Sequence, residues 1–182
     1  MPTSPYGYQP VAGLDGGPIP VSGEGLFAGP SATFTRPNDT TTYAAFDSIS
    51  NSTSSPTAMT FAASARAAGG SGLILSARHI KNSATTANAT FRLHLYRDTI
   101  AAVNDNAQYP LLWANRANRI GHIDFSHTTM GTGSDSSSSL VTYVGLPFIA
   151  AGTALYGRLI ALAAYTPAAQ EQHFIELQIA QN

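Results

Sequence analysis

The chain has no cysteine, which excludes disulfides and thiolate metal sites and leaves the redox compartment open. Charge is scarce: Asp, Glu, Lys and Arg make up 10% of 182 residues, against about 25% in an ordinary globular chain. Lys81 is the single lysine among nine basic residues, and ten acidic residues bring the net charge to −1. So little basic surface argues against displacing counterions from nucleic acid and against holding an anionic membrane. No apolar run approaches the roughly 20 residues that span a bilayer. The opening Met1-Pro2-Thr3-Ser4-Pro5 has neither a basic nor an apolar stretch, so no secretory signal is expected. Without that route, the sequons at Asn38, Asn51 and Asn88 are expected to stay unmodified. Also missing are a Gly-x-Ser-x-Gly elbow, a phosphate loop, a dinucleotide fingerprint and His-Glu-x-x-His. The only glutamates are Glu24, Glu171 and Glu176, poor material for a two-carboxylate glycosidase. No catalytic residue and no cofactor is assigned.

What is present fits one domain with a tail. Hydrophobic residues make up 43%, enough for a self-sufficient core. Residues 1–30 carry six of the eleven prolines, seven of the sixteen glycines and no basic residue, and they show no hydrophobic period. They are expected to form an extended arm, with a sandwich domain over 31–182. Period-2 patterning begins at Ser31. Strands are expected at Thr33–Arg36, Tyr43–Ile49, Met59–Ala63, Leu73–Lys81, Thr90–Tyr96, Ile120–Phe125, Leu140–Leu146, Thr153–Ala164 and Phe174–Ala180. Pro110–Arg116 has Pro at a plausible first helical position and predicts one short helix near 110–118. The Gly/Ser-rich run 126–139 reads as a mobile loop. Short strands with almost no helix predict an all-β, antiparallel β-sandwich or barrel.

Several polar sets invite a functional reading. His122 and Asp124 share a strand face, with His127 just beyond, and imidazole plus carboxylate could ligate zinc or manganese. So short a spacing is common by chance, and surface pairing is the plainer account; no metal is assigned. Arg92, His94 and Tyr96 alternate with Phe91, Leu93 and Leu95, which places them on the solvent side as a candidate interface stripe. Tyr156 and Arg158 extend that candidate onto a strand with apolar groups on both faces, as a central or subunit-covered strand would have.

Longer words in the sequence carry a family resemblance. They include Phe34-Thr35-Arg36-Pro37-Asn38-Asp39-Thr40-Thr41-x-Tyr43, Asp47-x-Ile49-Ser50-x-Ser52 and Gly70-Ser71-Gly72-x-Ile74-x-x-Ala77-Arg78. Further on come Phe91-Arg92-Leu93-x-Leu95, Asp105-Asn106, Gly121-x-Ile123-Asp124-Phe125, Thr153-Ala154-Leu155-Tyr156-Gly157-x-Leu159 and Ala164-Tyr165-Thr166-Pro167. In this order they resemble the jelly-roll cement, or decoration, proteins of tailed-bacteriophage capsids, over about residues 33–180. The resemblance implies a jelly-roll fold and a non-enzymatic virion protein. It also implies binding to the major capsid protein on the capsid exterior, as a homo-oligomer (dimer or trimer), after assembly in the host cytoplasm. The arm lies outside the matching region and is expected to tether a neighbouring subunit. The alternative is a tail-associated or receptor-binding β-domain holding a host glycan with Tyr96, Trp113 or Tyr143 at an exposed groove. With so little net charge, lattice contacts are expected to depend on shape and apolar area, with weak salt dependence.

Overall fold

Alternating apolar side chains commit most of the chain to strands, because a pleated strand sends successive side chains to opposite faces. The computed structural model describes residues 27–182. In chain order the strands are β1 (Phe27–Ala28), β2 (Ser31–Thr35), β3 (Ser48–Ile49), β4 (Met59–Phe61), β5 (Ser71–Lys81) and β6 (Thr90–Tyr96). They continue as β7 (Arg119–Ser126), β8 (Thr128–Thr129), β9 (Ser137–Ile149), β10 (Leu155–Ala161) and β11 (Gln172–Gln181). One sheet runs β1-β11-β5-β9-β8 with β2 also on β11; the other runs β3-β10-β6-β7 with β4 also on β10. All pairings are antiparallel. Along the chain the path crosses between sheets after β2, β4, β5, β7, β9 and β10, which is the jelly-roll form of a β-sandwich.

The core lies between the sheets. Ile74, Ala77, Phe91, Leu93, Leu95, Phe125, Leu155, Leu159, Ile175, Leu177 and Ile179 are all buried there. Each large side chain so enclosed contributes roughly 1.5–3 kcal/mol of apolar burial. Gly157 sits on the inner face of β10, where a Cβ would lie 2.8 Å from Met59 Sδ and 2.9 Å from the Phe61 ring. The lack of a side chain there lets β4 close over the core. A bulge in β5 between Ile74 and Ser76 resets the alternation, so that Ala77, His79 and Lys81 face inward.

Four expectations about individual segments change. The arm expected over 1–30 lies outside the described residues up to position 26, and its end is structured: Phe27–Ala28 pairs with Ile179–Ala180. The strand expected over Tyr43–Ile49 shrinks to β3, because Asp47 Oδ2 accepts from the Ala44 N–H at 2.7 Å and holds a turn, with Phe46 at φ 72°. The short helix is a single 3-10 turn, Trp113–Asn115; it buries none of its residues, so no packing stabilises a longer one. The loop expected over 126–139 is partly paired, Thr128–Thr129 lying against Ser137–Ser138.

The largest departure is on the outer face of the second sheet. Residues 97–118 fold back over β6 and β10, and Tyr96, Tyr109 and Ile160 form a second apolar cluster with Ile100, Val103 and Tyr156. Periodicity reports that one face of β6 differs from the other, but not that a distant loop covers the polar one.

Candidate functional site

The candidate interface stripe is therefore mostly inside the molecule. His94, Tyr96 and Arg158 are buried, and Tyr156 is half-buried. The Tyr96 and Tyr109 hydroxyls share a hydrogen bond, and the His94 ring stacks on Tyr109 at 5.4 Å. Burial raises the Tyr109 hydroxyl and, with Arg119 and His122 nearby, pushes His94 down to about 4. Arg158 donates to the backbone carbonyls of Ile100, Ala101 and Gly157, tying the excursion to β10. Arg92 stays half-exposed and grips Asp124, its cross-strand partner, through Nε at 2.6 Å and Nη2 at 2.7 Å. Those hydrogen bonds, more than charge alone, hold the Asp124 carboxyl low.

The metal reading of His122, Asp124 and His127 does not assemble. His122 and Asp124 face outward from β7, Asp124 is occupied by Arg92, and His127 turns inward between the sheets. Among the described residues no group of three His, Asp or Glu side chains is arranged to hold a metal ion. Tyr96, expected at an exposed glycan groove, is fully buried and reaches only the floor of the groove beside Trp113. Trp113 and Tyr143 are exposed, but Tyr143 does not line the groove beside Trp113.

What the inward turn of His127 builds is a polar spine through the sandwich. Ser137 Oγ lies 3.0 Å from His127 Nδ1, and His127 Nε2 lies 3.0 Å from His79 Nδ1. His79 Nε2 is 2.9 Å from His173 Nδ1, and His173 Nε2 is 3.3 Å from Glu171 Oε1, close but poorly aligned for a hydrogen bond. A carboxylate only accepts, so it fixes the proton order of the chain. His173 turns its Nε2–H toward Glu171, His79 and His127 donate through Nε2, and the Ser137 hydroxyl donates to His127. Each imidazole is then neutral and accepts at Nδ1. Phe91 and Phe125 present ring edges to His79, both at 5.2 Å, which keeps the surroundings apolar. Burial accordingly pushes His79 and His173 down, and His127 down to about 4.

Lys81 and Tyr165 close the far end. The Lys81 ammonium donates to the carbonyls of Ser83 at 2.9 Å and Thr85 at 2.6 Å and reaches Glu171 Oε2 at 3.5 Å. The Tyr165 hydroxyl donates to Glu171 Oε2 at 2.6 Å, and burial raises its pKa. Burial alone would raise Glu171 too; contacts with His173, Tyr165 and Lys81 overcome it and hold the carboxyl at about 2. Tyr165 stacks on Tyr43, ring centres 6.4 Å apart, and Tyr43 begins a second buried set. There Arg36 Nη2 donates to Asp105 Oδ2 at 2.9 Å, while the Tyr43 hydroxyl at 2.7 Å and the Ser50 N–H at 2.8 Å donate to Oδ1. Arg36 Nε also donates to the Tyr43 hydroxyl.

These two sets join residues far apart in the sequence: Arg36 and Tyr43, Asp105, and Tyr165 meet in adjoining buried positions. Reading the sequence left Lys81, His79, His173 and Glu171 unconnected. The available signal was parity: His79 and Lys81 share a face with buried Ala77, and His173 shares one with Ile175 and Leu177. Chemically, the spine fixes proton order and clamps β5 and β11 to the β7–β8 turn. Two surface grooves do not include any spine residue: one of about 270 Å³ between β2 and the broken β3/β4 edge, the other of about 420 Å³ beside Trp113. Compared with models of known protein families and with curated proteins, the chain matches none.

Proposed function

We propose that this protein is a virion structural protein that binds the outer surface of a phage capsid and stabilises it. On this reading its partner is the major capsid protein, it acts as a homo-oligomer, and it is carried on the exterior of the particle. The resemblance of its sequence words to those of cement proteins motivates the reading, and one surface observation supports it. Large apolar side chains are exposed on separate parts of the molecule. Phe27, Leu73, Leu140, Tyr143 and Ile149 belong to the first sheet, and Leu111, Leu112 and Trp113 to the excursion over the second. A subunit touched by both its own copies and a lattice would cover these side chains. Many copies on one lattice also let modest contacts act together.

The experiment is to prepare empty shells without this protein and add it back. Binding at stoichiometric occupancy, with shells that survive higher temperature, is the expected result. Failure to bind, or density on the tail in a virion map, overturns the reading.

A further inference from the structure

The side chains at Leu111, Leu112 and Trp113 are 49%, 56% and 79% exposed and sit consecutively at one end of the sandwich. They border the groove of about 420 Å³, whose walls also include Arg116, Arg119 and Ile120, with Tyr96, Asn115 and Gly121. The Arg116 guanidinium lies over the Trp113 ring, 4.6 Å from its centre, and donates to the Trp113 carbonyl at 3.1 Å. The Arg119 guanidinium lies 3.4 Å from His122 Nδ1. Arg97 is tied to the same stretch through its backbone, its N–H donating to the Asn118 carbonyl.

The charge pattern here differs from that of the sheet faces. Arg78 and Arg92 each have a carboxylate on the registered residue of the next strand, Glu176 and Asp124. Arg97, Arg116 and Arg119 have no carboxylate within ion-pair distance among the described residues. The exposed acid nearby is Asp98, which accepts from the Thr99 N–H. Two arginines without a carboxylate partner among the described residues, Arg116 and Arg119, beside an uncovered Leu-Leu-Trp run describe half of an interface. Tryptophan and arginine are the side chains that most often dominate such contacts.

We infer that this ledge is a protein-docking surface whose partner presents an apolar knob ringed by carboxylates, on the capsid reading a patch of the coat protein; that identity rests on the proposed function. A polypeptide fits better than a sugar. Leu111 and Leu112 offer nothing to hydroxyl groups, and Arg116 already covers one face of the indole that a sugar ring would stack on. The locally unpaired arginines also give this contact a salt dependence that the whole-chain net charge conceals.

Shells lacking the protein serve as the probe, with bound protein measured by co-sedimentation at low and raised salt. Trp113→Ala is expected to weaken binding roughly thirtyfold. Arg116→Glu with Arg119→Glu is expected to weaken it at least about tenfold at low salt, with the gap to wild type narrowing as salt rises. These side chains are exposed, so the melting temperature and circular dichroism of the variants should match wild type. If wild type binds and both variants bind equally well, the ledge is not the contact and the inference fails alone. Self-association lost in Trp113→Ala with shell binding intact would assign the ledge to a second copy and overturn it. Wild type that does not bind shells overturns the capsid reading, and the ledge's assigned partner with it.

Discussion

Lys81 is an unusual place for the protein's only lysine: its side chain is fully enclosed, on the inner face of β5 between His173 and Ser137 of the adjoining strands. An ammonium there is tolerable because its three protons meet two carbonyls and one carboxylate, and because Glu171 cancels its charge. The pair is asymmetric in a testable way. Removing one member leaves a charge in the core with nothing opposite, which costs about 3–5 kcal/mol, whereas removing both costs far less. Glu171→Gln has a second effect: an amide can donate, so it no longer dictates the proton order of His173, His79 and His127. Urea unfolding should show Lys81→Met and Glu171→Gln each strongly destabilised. The double variant should be less destabilised than the sum, with a coupling energy above about 1 kcal/mol. Strict additivity would mean the two groups do not depend on each other.

At the scale of elements, strands that alternate cleanly were legible and those shaped by distant residues were not. Thr90–Tyr96 was read to its ends, because Phe91, Leu93 and Leu95 face the core while Arg92, His94 and Tyr96 do not. The same pattern placed His94 and Tyr96 in solvent, since no local signal reports that residues 97–118 return to cover them. Nor does any local signal join His127 to His79, 48 residues apart, or His79 to His173, 94 apart. Besides Arg158 and the Tyr96–Tyr109 cluster, the excursion is anchored by Asp105, whose carboxylate takes hydrogen bonds from Arg36, Tyr43 and the Ser50 backbone. Asp105→Ala should therefore loosen this element before the sandwich. Hydrogen exchange across 98–112 should accelerate by an order of magnitude or more while β5 and β11 stay protected. Equal acceleration everywhere would make Asp105 a global support, and none would remove it from the account.

For the whole molecule, the neutral imidazoles make folding sensitive to acid, and the sign follows from where the protons go. An unfolded histidine titrates near 6.5, while burial has lowered His79 and His173 and brought His127 and His94 to about 4. Between those values the unfolded chain binds more protons than the folded one, so stability falls as pH falls. The contribution is complete above about pH 6.5 and is lost toward pH 4, at about 1.4 kcal/mol per pH unit for each imidazole that stays neutral. Glu171, held at about 2, extends the loss below its usual carboxylate range. Geometry adds cooperativity: an imidazolium donates from both nitrogens, so protonating His79 sets one of its N–H groups against the N–H of His127. The spine ties β5 and β11 of one sheet to the turn leaving β7 of the other, so its failure separates the two layers rather than fraying an edge. Urea midpoints measured from about pH 7.5 to 4 should be flat at first and then drop steeply below about pH 6. Replacing outward-facing His122, which is only shallowly placed, should leave most of that drop in place. A midpoint that stays level down to about pH 4 would mean that the histidines are already charged in the folded core, and that the proton order deduced from Glu171 is wrong.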